Sequence, residues 1–174
     1  SINQVQIVSQ PADLVVTEAI IPTTGEAGKA ISVQWTVKNQ GTGDTIVNSW
    51  SDRLVVSTDE VLGDADDLTL ASFTRTGLIA PNGTYSRTES VVLPFTLEGN
   101  YQLFVVTDSA NNVYEDSNEG NNGSSAFPIT ISRDTPDLQV TSITLPNTVT
   151  PGQPLTINWT VANLGRSEEH TSEL

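Results

Sequence analysis

The sequence has no cysteine, one histidine and only seven Lys or Arg residues among its 174 residues. The absence of cysteine excludes disulfides, thiolate-bound metals and a cysteine nucleophile. The 21 acidic residues give a net charge of −14. This charge disfavours nucleic acid and anionic lipid surfaces, because both are bound through basic side chains, and it favours attraction of cations.

Long apolar segments are also missing from the sequence. No apolar run approaches the roughly 18 residues that a membrane-spanning helix requires, so we expect no direct membrane insertion. The opening Ser1-Ile2-Asn3-Gln4 has neither the basic nor the apolar region of a signal peptide. We therefore expect the sequence to be an internal part of a longer protein, with residues 1–10 as a leader or the end of a preceding domain.

Apolar and polar residues alternate along several short stretches. The clearest runs from Ile31 to Val37, where every second residue is apolar, and it predicts a strand with one buried face. Further strands are predicted at residues 14–21, 54–57, 68–73, 84–95, 101–107 and 126–132. Residues 23–29 are predicted to form a glycine-containing turn. Short strands separated by Gly, Pro, Asn and Asp turns predict an all-β fold, an antiparallel β-sandwich of about seven strands.

The sequence repeats itself without a gap. Asp13-Leu14 recurs as Asp137-Leu138, 124 residues later (137 − 13), and Trp35 recurs as Trp159. The same offset joins Val16 with Val140, Pro22 with Pro146, Gly28 with Gly152, Val37 with Val161, Asn39 with Asn163 and Gly41 with Gly165. The repeat predicts a complete domain at residues 11–133 and the first two strands of a second domain at residues 134–165.

The C-terminal segment, residues 166–174, contains the single histidine, His170. Codons for Arg-Ser-Glu-Glu-His-Thr-Ser-Glu-Leu can be chosen that resemble a widely used short-read sequencing adapter at all of these positions. We interpret this segment as a non-native, adapter-derived tail; the alternative is a natural polar loop. On the first interpretation the native sequence has no histidine, so no Ser/His or Cys/His catalytic pair can form.

Three motifs resemble the CARDB family, the cell-adhesion-related domain found in bacteria. They are the Pro-Ala-Asp-Leu opening at residues 11–14, which returns as Pro136-Asp137-Leu138, and Val-x-Asn-x-Gly at residues 37–41. The third motif consists of Asp108, Asn111, Val113, Glu115, Asn118, Glu119, Asn121 and Asn122. The resemblance implies an immunoglobulin-like sandwich in tandem arrays on secreted or surface-attached prokaryotic proteins, where such domains act as spacers or adhesion modules.

The third motif lies in residues 108–122, which contain four carboxylates and five asparagines. No Lys or Arg occurs from Thr88 to Ser132. Calcium is bound by about six to eight oxygens from carboxylates, amides and the backbone. Candidate ligands of a structural calcium ion are Asp108, Asn111, Glu115, Asn118 and Glu119. Alternatively, the Asn and Asp residues shape turns and the glutamates accept hydrogen bonds from backbone amides without a metal.

A second acidic stretch, Asp59 to Asp67, has five acids in nine residues. Asp59, Asp64 and Asp66 are weaker candidates for calcium, because this stretch lacks the glycine position and the flanking helices of the helix–loop–helix calcium site. A solvated acidic turn is the alternative. We expect no cofactor other than calcium.

The sequence predicts a protein that is not an enzyme. Both acidic stretches lie in short turns, without the long loops that build a cleft around a glycosidase-like carboxylate pair. We predict a secreted or cell-surface spacer or adhesion module that contacts neighbouring repeats and a cell-surface, matrix or glycan ligand. The alternative is a carbohydrate- or protein-binding accessory module of a secreted hydrolase, which would bind through an exposed Trp50 or through the loop at residues 108–122. The apolar parity of Trp35 and Trp159 assigns both to a core.

Overall fold

The alternating sequence around Trp35 forms a strand with one buried and one exposed face. In the computed structural model, which describes residues 9–165, this strand runs from Ala30 to Asn39. Ile31, Val33, Trp35 and Val37 are buried, while the residues between them are exposed or half-buried. The predicted strand and its buried face are therefore confirmed. The predicted leader, except for residues 9 and 10, and the predicted tail at 166–174 lie outside the described residues.

The described residues form ten strands and a single 3₁₀ turn. Eight strands lie in the first unit: β1 Leu14–Ile20, β2 Thr24–Glu26, β3 Ala30–Asn39, β4 Ser49–Ser57, β5 Leu68–Thr76, β6 Thr84–Val92, β7 Gly99–Val106 and β8 Phe127–Ser132. The 3₁₀ turn is Asp116–Asn118, and the last two strands are β9 Leu138–Thr144 and β10 Asn158–Asn163. No helix in this part of the chain is long and apolar enough to cross a membrane.

Two sheets enclose the core of the first unit. One has the order β1-β3-β6 and is antiparallel throughout. The other has the order β2-β8-β7-β4-β5, in which only the pair β2–β8 is parallel. Side chains of both sheets, including Leu14, Trp35, Leu54, Leu103 and Ile131, form one buried cluster. The predicted immunoglobulin-like antiparallel β-sandwich is confirmed, because each sheet hides its apolar face against the other.

One local prediction was wrong, and one strand was predicted too short. The turn predicted at residues 23–29 contains β2, which pairs with β8. Three residues are too few to show alternation, and the middle one is Gly25, where a Cβ would lie 2.6 Å from Leu93 Cδ1. The strand predicted at 54–57 begins at Ser49. Asp52 breaks the apolar parity of this strand, so the pattern alone placed its start too late.

The chain divides into two compact units, with the boundary between Ser132 and Arg133. In the described part of the second unit, β9 and β10 form an antiparallel hairpin. The assignment of residues 11–133 and 134–165 to successive repeats stays a prediction.

Candidate metal centres

The loop between β4 and β5 brings three carboxylates together. Asp59, Asp64 and Asp66 each place one oxygen within 4.8 Å of the others, and no other such group of three occurs among residues 9–165. All three side chains are exposed. The structure thus assembles the set that the sequence analysis ranked second.

Hydrogen bonds within this loop account for part of its geometry. Asp66 Oδ2 accepts hydrogen bonds from the Ser57 hydroxyl at 3.2 Å, from the Thr58 backbone N–H at 3.0 Å and from the Thr58 hydroxyl. Asp59 Oδ1 accepts one from the Val61 N–H at 2.7 Å. A hydrogen bond between the two carboxyl groups raises the pKa of Asp64 and lowers that of Asp66. Asp59 and Asp66 thus accept hydrogen bonds from the backbone and hydroxyl groups of their own loop, as in a solvated acidic turn.

The β7–β8 loop, residues 107–126, uses Asp108 to hold its own backbone. Asp108 is buried with a positive φ of 39°, and its two carboxylate oxygens accept hydrogen bonds from Asn112 N at 2.9 Å and Val113 N at 2.8 Å. These bonds direct Val113 into the core. Burial raises the pKa of Asp108. Because both of its oxygens already accept backbone hydrogen bonds, Asp108 here acts as a turn-forming residue.

Glu115 and Glu119 follow in the same loop, where Glu115 is fully buried and Glu119 is half-buried. Glu115 Oε2 accepts a hydrogen bond from the Asn122 amide at 2.9 Å, and Glu119 Oε1 accepts one from the Glu115 backbone N–H at 3.0 Å. The remaining oxygens, Glu115 Oε1 and Glu119 Oε2, are buried and have no hydrogen-bond partner. Each carboxyl group therefore has one oxygen that accepts a hydrogen bond and one buried oxygen without a hydrogen-bond partner.

The two predicted asparagine ligands contribute to the path of the backbone. Asn111 has a φ of 49° and donates its N–H to the Asp108 carbonyl at 2.9 Å. Asn118 ends the 3₁₀ turn and donates its N–H to the Glu115 carbonyl at 3.1 Å. The five predicted ligands therefore share one loop. A metal role for this set stays a prediction.

Burial raises the pKa of Glu115 to about 8. The coulombic effect of Glu119 adds to this shift, and hydrogen bonding with the Leu14 backbone opposes it. The Glu115 side chain is fully buried, so ionisation places a charge where water does not reach. Without a metal, the native state therefore holds the Glu115 proton more tightly than the unfolded chain does.

We expect the metal-free protein to lose stability as the pH rises from about 5 to about 8. The folded pKa of Glu115 lies above its unfolded value, so its stabilising contribution is complete at low pH and disappears as the pH passes the folded pKa. For one proton the loss is at most about 1.4 kcal/mol per pH unit. Urea denaturation in EDTA at several pH values measures it. Glu115→Gln should flatten the dependence; an unchanged slope in this variant would contradict the assignment.

A buried polar network that the sequence analysis missed lies between the sheets. Asp52 of β4 is fully buried and accepts hydrogen bonds from Trp35 Nε1 at 3.0 Å, the Tyr85 hydroxyl at 2.7 Å and the Thr107 hydroxyl at 3.0 Å. Burial raises the pKa of Asp52, and these hydrogen bonds oppose the shift. The sequence contains one indication of this network: Asp52 alternates with the apolar residues Trp50 and Leu54, which places it on the buried face of the strand.

Trp50 is buried, which corrects the suggestion that it forms an exposed stacking surface. Only 2% of its surface is exposed, and its Nε1 donates to the Tyr85 hydroxyl at 3.4 Å. The Arg75 guanidinium lies 5.7 Å from the Trp50 ring centroid. Trp50, Asp52 and Leu54 are alternate residues of β4, so their side chains all point to the buried face of the strand. This holds for Trp50 even though it lies near the start of the strand.

Both the fold and the acidic loops lie within a region that matches a known family. The CARDB family model matches residues 11–126, which include both acidic loops. The chain belongs to the CARDB family. Domains of this family are adhesion-related modules without a catalytic role. No curated protein sequence is significantly similar to the chain.

Solved CARDB structures share this fold. The crystal structure of the CARDB domain of the PF1109 protein from Pyrococcus furiosus, in complex with di-metal ions, is 23% identical. It covers 73% of this chain and 99% of its own chain, with a TM-score of 0.52. The solution NMR structure of the same domain is 24% identical, covers 71% and 98%, and has a TM-score of 0.51.

Proposed function

We propose that this CARDB chain is a non-catalytic spacer and adhesion module of a secreted or cell-surface protein with tandem repeats. Calcium would stiffen its acidic loops. The observation that carries the tandem arrangement is the second hairpin, because β9–β10 repeats the pairing of β1–β3. Ala19 pairs with Trp35, and Ile143 pairs with Trp159, each 124 residues later (143 − 19). Both hairpins have a register shift at the equivalent position.

Hydrogen bonds at the ends of the two hairpins also correspond. Asn39 Oδ1 accepts from Asp13 N and Gly41 N, both at 3.0 Å. Asn163 Oδ1 accepts from Asp137 N at 2.9 Å and Gly165 N at 3.0 Å. Such agreement in register, bulge and side-chain bonds supports β9–β10 as the first hairpin of a second CARDB domain.

A second module also explains the exposure of Trp159. Its counterpart Trp35 is 2% exposed, whereas Trp159 is 64% exposed in a hairpin with no second sheet over it among the described residues. A large aromatic side chain on the apolar parity of a strand is normally covered by the facing sheet. The remaining strands of a second domain would supply that cover. Repeats of this kind keep a distal part of the protein away from the surface.

Calcium as the cation is supported by the chemistry of both loops. The donors are carboxylate, amide and backbone oxygens, which hard cations prefer, and cysteine and histidine ligands are not needed. Glu115 Oε1 and Glu119 Oε2 are buried without hydrogen-bond partners, as is expected of oxygens that bind a cation. The related PF1109 domain was solved with di-metal ions, and this chain has two acidic loops. Extracellular modules bind calcium with dissociation constants of about 10⁻⁴ to 10⁻³ M.

We expect the gene to encode further copies of the repeat of 124 residues and an export signal. The direct measurement is to sequence the gene beyond both ends of this segment in the source genome. Further CARDB repeats, a signal peptide and a surface anchor would support the proposal. A single repeat fused to an intracellular enzyme domain, without an export signal, would overturn it.

A further inference from the structure

The β7–β8 loop contains two buried carboxyl oxygens that have no hydrogen-bond partner. Glu115 is fully buried; its Oε2 is bonded to the Asn122 amide, and its Oε1 has no partner. Glu119 Oε1 is bonded to the Glu115 N–H, and its Oε2 has no partner. A buried charged oxygen without a hydrogen bond is strongly unfavourable, so a missing partner is expected.

The surroundings of this pair are negative. The negative charges of Glu119, Asp108 and Asp13 all raise the pKa of Glu115. The sequence has no Lys or Arg from Thr88 to Ser132 that could offset these charges locally. A cation would satisfy both orphaned oxygens and reduce the repulsion among the carboxylates at the same time.

We propose that Glu115 Oε1 and Glu119 Oε2 are direct ligands of one calcium ion, with backbone carbonyls and water completing its coordination. This inference rests on the proposed calcium-dependent module and names its buried site. It also narrows the five residues predicted from sequence. Asp108 is left out because both of its oxygens accept backbone hydrogen bonds, and Asn111 and Asn118 shape the turns through their backbones.

A calcium ion at this position would stiffen a loop that already contacts the start of the first strand. Asn122 donates to the Leu14 carbonyl at 3.1 Å as well as to Glu115. Asn121 Nδ2 donates to Asp13 Oδ1 at 2.9 Å. The connection between β7 and β8 therefore already contacts the start of β1 in the other sheet. Adding a cation to Glu115 and Glu119 would stiffen this end of the sandwich.

The test is amide hydrogen exchange of the 174-residue chain in calcium chloride and in EDTA. We expect calcium to slow exchange in residues 108–122. Glu115→Gln and Glu119→Gln should each abolish this protection and weaken calcium binding, measured by calorimetry, by roughly tenfold or more. Both substitutions keep the shape of the side chain, and a glutamine oxygen can still accept the existing hydrogen bond. Two variants ensure that a folding defect in one does not decide the result.

Asp116→Asn is the matched control, because it removes one negative charge from the same loop at an exposed residue. Protection of residues 108–122 should persist in this variant and in a chain that carries Asp59→Asn, Asp64→Asn and Asp66→Asn. Calcium protection confined to residues 58–67, or retained in both glutamine variants, would overturn this inference and leave the calcium-stiffened module intact. The absence of any calcium effect in the unsubstituted chain would overturn both. Greater stability of Glu115→Gln in EDTA, without a calcium effect in the parent, would identify a proton as the partner.

Discussion

Replacing Asp52 by alanine is expected to lower the free energy of unfolding by about 3 kcal/mol. The substitution removes the acceptor for Trp35 Nε1 and one acceptor each for the Tyr85 and Thr107 hydroxyls. Each buried donor that loses its acceptor costs about 1–3 kcal/mol. Relief of the desolvation that raises the pKa of Asp52 offsets part of this loss. Urea denaturation followed by tryptophan fluorescence measures the change.

Two comparisons distinguish loss of the network from loss of charge. Asp52→Asn keeps the size of the side chain and one acceptor oxygen, so we expect a smaller loss, of about 1 kcal/mol. Asp44→Ala removes an exposed carboxylate and should change stability by less than about 0.5 kcal/mol. Equal effects of Asp52→Ala and Asp44→Ala would show that the network does not hold the two sheets together.

The Asp52 network is expected to contribute this much to stability because it joins the two sheets. Trp35 and Tyr85 belong to the sheet β1-β3-β6, and Asp52 belongs to the facing sheet. Apolar packing holds the sheets face to face without direction, whereas these hydrogen bonds fix specific residues opposite one another. The Tyr85 hydroxyl oxygen lies 2.8 and 2.7 Å from the two Asp52 carboxylate oxygens, so it can donate its hydrogen bond to either of them.

Replacing Asn39 by alanine is expected to lower the free energy of unfolding by about 2–4 kcal/mol. The fully buried Asn39 side chain makes four hydrogen bonds to backbone groups: Oδ1 accepts from Asp13 and Gly41, and Nδ2 donates to the carbonyls of Gly43 and Ile79 at 2.8 and 3.0 Å. Alanine leaves these groups without their partner in a place with little access to water. Thermal and urea denaturation measure the loss.

Asn48→Ala is the control for this substitution, because Asn48 is exposed and its backbone carbonyl, not its side chain, accepts the Gly77 N–H. Its stability should remain within about 0.5 kcal/mol of the parent chain. Asn39→Asp keeps Oδ1 but replaces the Nδ2 donor by a buried oxygen that faces the Gly43 and Ile79 carbonyls, so its loss should be at least as large as that of Asn39→Ala. A loss for Asn39→Ala no larger than that for Asn48→Ala would refute the role of Asn39.

These bonds explain the Val-x-Asn-x-Gly motif in physical terms. Asn39 ties the end of β3 to the chain that enters β1, and a Cβ on Gly41 would collide with the backbone of Pro11 and Ala12. The same close approach recurs at Gly165, where a Cβ would meet the backbone of Thr135 and Asp137. The motif could be recognised from sequence, but the reason for its residue types is a contact between segments more than twenty residues apart.

The candidate site was only partly predictable. The sequence located both acidic loops, because carboxylates without nearby basic residues are visible in a linear chain. It ranked residues 108–122 first, yet among residues 9–165 only Asp59, Asp64 and Asp66 place three carboxylate oxygens within 4.8 Å of one another. Spacing along a loop does not give the direction of side chains. The backbone hydrogen bonds of Asp108 and the orphaned oxygens of Glu115 and Glu119 depend on the folded path of the loop.

The sequence by itself determined the strand pattern, the buried face of β3, the repeat at an offset of 124 residues and the family. Alternation and spacing are local properties, so they can be recognised in the amino-acid sequence without the structure. Only the tertiary structure decided that β2 pairs with β8, that Asp52 and Trp50 point inward, and which oxygens of Glu115 and Glu119 lack partners. Each of these depends on what a distant segment places opposite a residue, because burial and hydrogen bonding are set between sheets and not along one strand.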